Sequence, residues 1–188
     1  MIRFDTLPPE AMQAMCTPMH LIVPASPSAR TGALYLGSLA AILDPSLLSS
    51  HAISALVHVL DAPWLPAPDP KAPLDAYRLD ISDSSSVDLR PHLESAVRWI
   101  DDRLRKGLNV LVHCQQGISR SAAVVIAYLI YTHNMSYNSA FDLVKRKRAC
   151  IKPNPGFVRC LQDWEKQWHT APQSVNRPSV RRASTTPV

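Results

Sequence analysis

The chain has 188 residues, 46% of them apolar, and a formal charge of +5 at neutral pH. That length and apolar content suit one domain with its own core, and the apolar runs, the longest at about residues 122–131, are too short to span a bilayer. The basicity is local: residues 145–152 carry five basic side chains and residues 170–188 three more, so the rest of the chain is acidic on balance, which fits a basic rim for a phosphorylated partner and gives no reason to expect nucleic acid.

No basic-then-apolar leader opens the sequence, and residues 1–19 are read as an N-terminal extension. "HLIV" (20–23), "LYLGS" (34–38) and "ISALVHVL" (53–60) read as short strands, apolar and bounded by Pro, Ser, Gly and Asp. Between the last two, "DPSLLSSH" predicts a short helix capped by Asp44 with Pro45 at its first position. Five prolines between residues 63 and 73 then exclude regular structure and predict an extended surface loop. "AYRLDIS" (76–82) is the next strand. In "DLRPHLESAVRWIDDRLRKG", Leu89, Leu93, Val97, Ile100 and Leu104 recur every three or four residues, which makes one apolar helix face, and Gly107 suits its stop. "NVLVHC" follows almost without polar interruption, as a strand buried on both faces does, and strand, helix and strand in that order make the sheet at least partly parallel. Helices are expected at about 119–133, 137–148 and 155–168, with Pro155 in the first turn of the last. From Thr170 the Pro/Ser/Thr/Arg-rich chain reads as a disordered tail over 170–188, carrying kinase-site patterns around Ser184 and Thr186.

The four cysteines, Cys16, Cys114, Cys150 and Cys160, show neither a C-x-x-C pair nor zinc-ligand spacing. Reduced thiols in the cytoplasm or nucleus, with no metal and no cofactor, are therefore expected. Cys114 stands apart because it ends the buried strand, with Gly117 three residues on and Arg120 six residues on, where a helix begins. Strand, tight loop and helix N-terminus form an anion trap, since free N–H groups of the first turn point outward and the helix dipole adds positive charge. Gly117 lets successive N–H groups of Gln115, Gln116, Gly117, Ile118 and Ser119 curl round one centre, and Arg120 closes the ring with a bidentate grip. The same donors stabilise a thiolate at Cys114, lowering its pKa below the free value of about 8.5. A thiolate under a phosphoryl group is arranged for in-line displacement through a phosphocysteine. The leaving group needs a proton, and "LDISDSSSVDL" offers Asp80, Asp83 and Asp88. Asp83 is preferred, Asp80 being assigned to the strand and Asp88 to the cap of the next helix.

"HCQQGISRSAAVVIAYLI" resembles the signature of the dual-specificity protein phosphatases, H-C-x-x-G-x-S-R-S and the helix after it. The likeness extends through "LYLGS", "DISD" and "AFDLVKRKRACIKPNPGF" and covers residues 20–169 as the catalytic domain. It implies an α/β fold, a mixed central β-sheet flanked by α-helices of the protein tyrosine phosphatase-like kind, acting without metal on phosphotyrosine and phosphoserine or phosphothreonine in phosphorylated proteins. By position it makes Cys114 the nucleophile, Arg120 the phosphate-binding arginine and Asp83 the acid/base. Ser121 becomes the hydroxyl that stabilises the departing thiolate, His113 the histidine that tunes the cysteine, and Asn154 the residue that orders the phosphate loop. Gln116 departs from the small residue usual there and bears on substrate choice or rate. With no kinase-docking domain in front, a small atypical member is expected. A lipid or RNA-end phosphatase using the same loop, and a phosphate-binding scaffold without hydrolysis, are the alternative functions. "KRKR" (145–148) is read as a basic rim to the pocket rather than a nuclear import signal.

Overall fold

The structure is a computed structural model that describes residues 8–61 and 74–170. The proline-rich loop predicted between residues 63 and 73 lies outside them, as do Ser184 and Thr186 in the predicted tail.

Five strands form one mixed sheet: β1 (Met19–Val23), β2 (Leu34–Ser38), β3 (Ile53–Val59), β4 (Asp75–Leu79) and β5 (Asn109–Cys114), in the spatial order β1-β2-β5-β3-β4. β1 runs antiparallel on the edge and the other pairings are parallel. β5 is central and buried on both faces, which explains its unbroken apolar run. Its alternate residues serve two cores: Val110, Val112 and Cys114 join the larger cluster, and Leu111 joins a smaller one with Met19, Ala41, Leu48, Ile53 and Leu56.

The larger cluster packs helices α4 (Arg90–Arg105), α5 (Arg120–His133), α6 (Tyr137–Lys147) and α7 (Pro155–Thr170) around the sheet. Leu93, Val97, Ile100 and Leu104 of α4 are all buried, so the periodic stripe is its core face. Gly107 ends that helix region with φ at +79°. α5 is buried from Ser121 to Tyr131, an apolar helix surrounded on all sides, and Trp164 Nε1 of α7 donates to the Ala127 carbonyl at 3.2 Å to fix the two together.

Four short or boundary features depart from the expectations. Two helices went unforeseen: α1 (Pro9–Cys16) in the N-terminal extension and the single turn α2 (Leu39–Ile42), both too short for a clear apolar period. α3 (Pro45–Ser50) is capped as expected, Asp44 Oδ1 accepting from the Leu47 N–H at 3.0 Å. β4 stops at Leu79, so Asp80 lies beyond the strand, where its carboxylate pairs with Arg78 at the surface. Asp88 is not the N-cap of α4. Leu89 holds that place, while Asp88 accepts from both the Arg90 N–H (3.0 Å) and its guanidinium, and these bonds draw the Asp88 carboxyl down to about 2.

Parallel strands deliver their carboxyl ends to one edge of the sheet, where ligands of such folds bind. Cys114 ends β5 at that edge, and the chain leaving β4 runs through Ile81 to Asp83 beside it.

Candidate active site

Residues 115–119 bridge the end of β5 and the start of α5. Every carbonyl from Gln115 to Ile118 is held from outside the loop. Gln115 O accepts from the Leu39 N–H at 3.2 Å, and Ile118 O from the Lys152 N–H at 2.8 Å. Gln116 O and Gly117 O accept from Arg148, Nη2 at 3.1 Å and Nε at 2.9 Å. A trans peptide sets its N–H opposite its C=O, so four outward carbonyls turn the N–H groups of Gln116, Gly117, Ile118 and Ser119 inward. The loop is therefore a cup of amide donors, a nest for an anion.

Gly117 makes the turn at φ +68°. A Cβ there would also sit 2.5 Å from the Gly37 carbonyl oxygen and 2.8 Å from Arg148 Nη2, so both backbone conformation and space require glycine.

Cys114 Sγ lies at the floor, accepting from the Gly117 N–H and from Ser121 Oγ, each at 3.2 Å. Arg120 begins α5 with Nη1 on the Ile81 carbonyl at 3.3 Å. Its Nε is buried without a hydrogen-bond acceptor among the described residues, 3.9 Å from Asp83 Oδ2. A buried guanidinium donor without an acceptor is costly unless an anion takes it. Asp83 reaches over from the β4 side: its Oδ1 accepts from Ser119 Oγ at 2.7 Å and from Asn154 Nδ2 at 2.8 Å. Asn154 also gives its N–H to Ser119 Oγ (3.1 Å) and accepts the Phe157 N–H on Oδ1 (3.0 Å), so the same side chain caps α7 and ties it to the loop.

Three dispersed segments thus meet at one spot: the cup with Cys114, Arg120 and Ser121, the Asp83 turn, and Asn154. The Gln115 and Gln116 side chains are exposed, and Ile118 is buried against Ala14 of α1 and Cys150. Among the described residues, no cluster of His, Cys, Asp or Glu gathers to hold a metal ion, and no helix is long and apolar enough to cross a membrane.

The dual specificity phosphatase catalytic-domain family model matches residues 34–167. The chain belongs to the dual specificity phosphatase family. A dual specificity protein phosphatase 1B of Arabidopsis thaliana is 36% identical over 134 residues, which cover 71% of this chain and 78% of that one. A rhodanese domain-containing dual specificity protein phosphatase of Dictyostelium discoideum is 42% identical over 99 residues, 48% of this chain but 21% of the relative, so the chain spans about a fifth of that protein. Human DUSP28 superposes with a TM-score of 0.70 at 32% identity, covering 81% of this chain and 96% of that one. The mixed sheet with flanking helices is the fold of these cysteine-dependent protein phosphatase domains.

In this dual specificity phosphatase domain one residue of the site escaped the sequence reading. Arg148 is not on a basic rim. It is fully buried, donating to Gln116 O and Gly117 O, to Thr17 O at 2.9 Å and to His20 Nδ1 at 2.8 Å. Arg146 and Lys147 are exposed, and Lys145 Nζ turns inward to the Ile151 carbonyl at 2.8 Å. The signal was its spacing: Arg148 follows Phe141 and Val144 at helical intervals, on the apolar side of the helix.

His113, one residue before Cys114, projects from the opposite face of β5. It is fully buried, and burial first, then the neighbouring His58, push its pKa down to about 3 from 6.5. The folded ring is neutral at pH 7, whereas the unfolded chain binds a proton below 6.5, so this contribution is present above 6.5 and is lost as pH falls toward the folded value. We expect denaturant midpoints to fall between about pH 7 and about pH 4, at up to about 1.4 kcal/mol per pH unit from this group. The His113→Asn variant should show a shallower fall. Equal slopes in the two proteins would assign the acid sensitivity elsewhere.

Proposed function

We propose that this chain hydrolyses phosphate monoesters on proteins, on tyrosine and on serine or threonine, through a phosphocysteine at Cys114. The observation that carries the reading is the sulfur's position: Cys114 Sγ, at the floor of the amide cup, accepts from the Gly117 N–H and Ser121 Oγ. In the first step Sγ attacks phosphorus and the bond to the leaving oxygen breaks. The cup N–H groups and Arg120 stabilise the equatorial oxygens, and Asp83 delivers a proton to the leaving group. In the second step Asp83 takes a proton from water, the water oxygen attacks phosphorus, and the P–S bond breaks. Ser121 Oγ donates to the departing thiolate. Ser119 and Asn154 hold Asp83 Oδ1 and leave Oδ2 as the oxygen that carries the proton. His113 tunes the cysteine from behind, and Asn154 fixes the acid and the loop in one register. The free thiol of Cys114 suits the reduced setting of cytoplasm or nucleus.

Asp83→Ala tests the assignment through the leaving group. Turnover of a phosphoserine peptide, whose alkoxide must be protonated, falls by about 10²–10⁴. An aryl phosphate with an acidic phenol loses much less. Equal losses on both substrates would remove Asp83 from the acid role. A wild-type protein that binds phosphate analogues but leaves an aryl phosphate intact would make the domain a binding scaffold.

A further inference from the structure

The aspartate turn between β4 and α4 rests on the first turn of α7 at two points. One is polar: Asn154 Nδ2 donates to Asp83 Oδ1 at 2.8 Å. The other is steric. Gly156, the second residue of α7, lies against the Ser85 main chain, so closely that a Cβ placed on it would sit 2.2 Å from the Ser85 carbonyl oxygen and 2.7 Å from Ser85 C and Cα. All three atoms are backbone, so no change of rotamer relieves the clash.

The conformation at this position does not call for glycine. Positive φ is confined, among the glycines, to Gly107 and Gly117, and inside a helix alanine is favoured over glycine. The local preference at Gly156 is therefore overridden by the space that Ser85 takes.

Which side would yield to an added methyl group follows from how each is held. α7 is pinned: Asn154 caps it, Phe157 and Leu161 have no exposed surface, and Trp164 is bonded to α5. The turn is exposed at Asp83, Ser85 and Ser86. It is free to move, but as one piece, because the Ser84 N–H donates to the Ser82 carbonyl at 3.0 Å, the Val87 N–H to the Ser84 carbonyl at 3.2 Å, and the Ser86 N–H to Ser84 Oγ at 3.3 Å. A push on Ser85 is thus carried to Asp83, two residues back. Cβ atoms stay 3.0 Å or more from such neighbours, so the turn retreats from α7 by roughly 1 Å. That draws Asp83 away from Asn154 and out of line with the leaving oxygen.

We propose that Gly156 is a positioning residue for the phosphatase reaction: having no side chain, it lets the Ser85 main chain close on α7 and so sets where Asp83 stands over the cup. The proposal rests on the reading of Asp83 as the acid. Gly156 lies outside the cup, whose carbonyls are held by Leu39, Arg148 and Lys152.

The test is Gly156→Ala, read beside Asp83→Ala and the double variant. In Gly156→Ala, kcat on a phosphoserine peptide falls about 10²-fold with KM within about twofold of wild type. An aryl phosphate with an acidic phenol loses less than about threefold, and tungstate affinity stays within about twofold because the cup is untouched. Added to Asp83→Ala, the same change costs nothing further on the phosphoserine peptide, since the group it misplaces is already gone. A merely structural role would lower the unfolding midpoint without separating the two substrates. Wild-type turnover of the phosphoserine peptide by Gly156→Ala, equal losses on the two substrates, or a loss that adds to that of Asp83→Ala overturns the proposal. Failure of Gly156→Ala to fold overturns it too, since the helix and not the turn would then have given way. The reading of Asp83 as acid is judged on Asp83→Ala alone, so its failure is distinguishable from failure of the role given to Gly156.

Discussion

Cys114→Ser removes turnover of phosphopeptides and aryl phosphates alike, by about four orders of magnitude or more, while a phosphate analogue such as tungstate still binds. The two halves of this expectation have separate causes. Chemistry is lost because a serine hydroxyl under the same donors is not ionised at neutral pH. In the proposed first step Asp83 enters protonated, as the acid for the leaving group, and takes no proton from the nucleophile. Binding persists because the cup is built from main-chain N–H groups, fixed by the outward bonds of Gln115, Gln116, Gly117 and Ile118, none of which involves the sulfur. Steady-state assays with both substrate types, beside calorimetric titration with tungstate, check the prediction. Cys16→Ser, at an exposed thiol remote in role, serves as the control and retains activity. Residual turnover of a few per cent in Cys114→Ser would point to another nucleophile, and loss of tungstate binding would show that the sulfur itself holds the cup together.

How much of this could be read from the chain depends on how local each feature is. Cys114, Gly117 and Arg120 lie within seven consecutive residues, so their spacing already implied a strand, a tight turn and a helix start. The cap at Asp44 and the stripe on α4 are equally local and came out as read. Asp83 was one of three aspartates on a single segment. Chain order favoured it, but its contacts with Ser119 and Asn154 span 36 and 71 residues and exist only in the fold. His58 was hidden for the same reason: 55 residues separate it from His113, and alone on a strand it looks like any half-buried histidine. Two local rules competed at "KRKR", where charge pattern indicated a solvated face and helical spacing put the last arginine inward. The structure follows the spacing at that position because four acceptors from two distant stretches, residues 17–20 and 116–117, converge on it. α1 carried too short a pattern to be found, yet its Ala14 covers Ile118 of the cup.

Arg148→Met is the change with the largest expected effect on stability. The arginine has no exposed surface, and burial pulls its guanidinium pKa downward, the expected cost of placing a cation in a dry interior. That cost is offset by four hydrogen bonds at 2.8–3.1 Å, three to carbonyls and one to a histidine nitrogen. Methionine fills much of the same volume and removes the charge, but it leaves Gln116 O, Gly117 O, Thr17 O and His20 Nδ1 without this donor. Each buried acceptor left unmade costs about 1–3 kcal/mol. Partial relaxation and water entry trim the sum, and a loss of about 3–5 kcal/mol is expected, as for breaking other buried charged networks. The effect reaches the chemistry because two of the four acceptors are the carbonyls whose outward pull turns the Ile118 and Gly117 N–H groups into the cup. Turnover therefore falls together with tungstate affinity, which separates this variant from Cys114→Ser, where affinity survives. Arg148→Lys keeps the charge but not the planar fork that reaches Gln116 and Gly117 at once, so it falls between the two proteins in both measurements. Denaturant unfolding and tungstate titration of the wild type and both variants check the ordering. A wild-type midpoint in Arg148→Met would show that the buried guanidinium offsets no more than its own desolvation, and wild-type tungstate affinity would show that the cup keeps its shape without it.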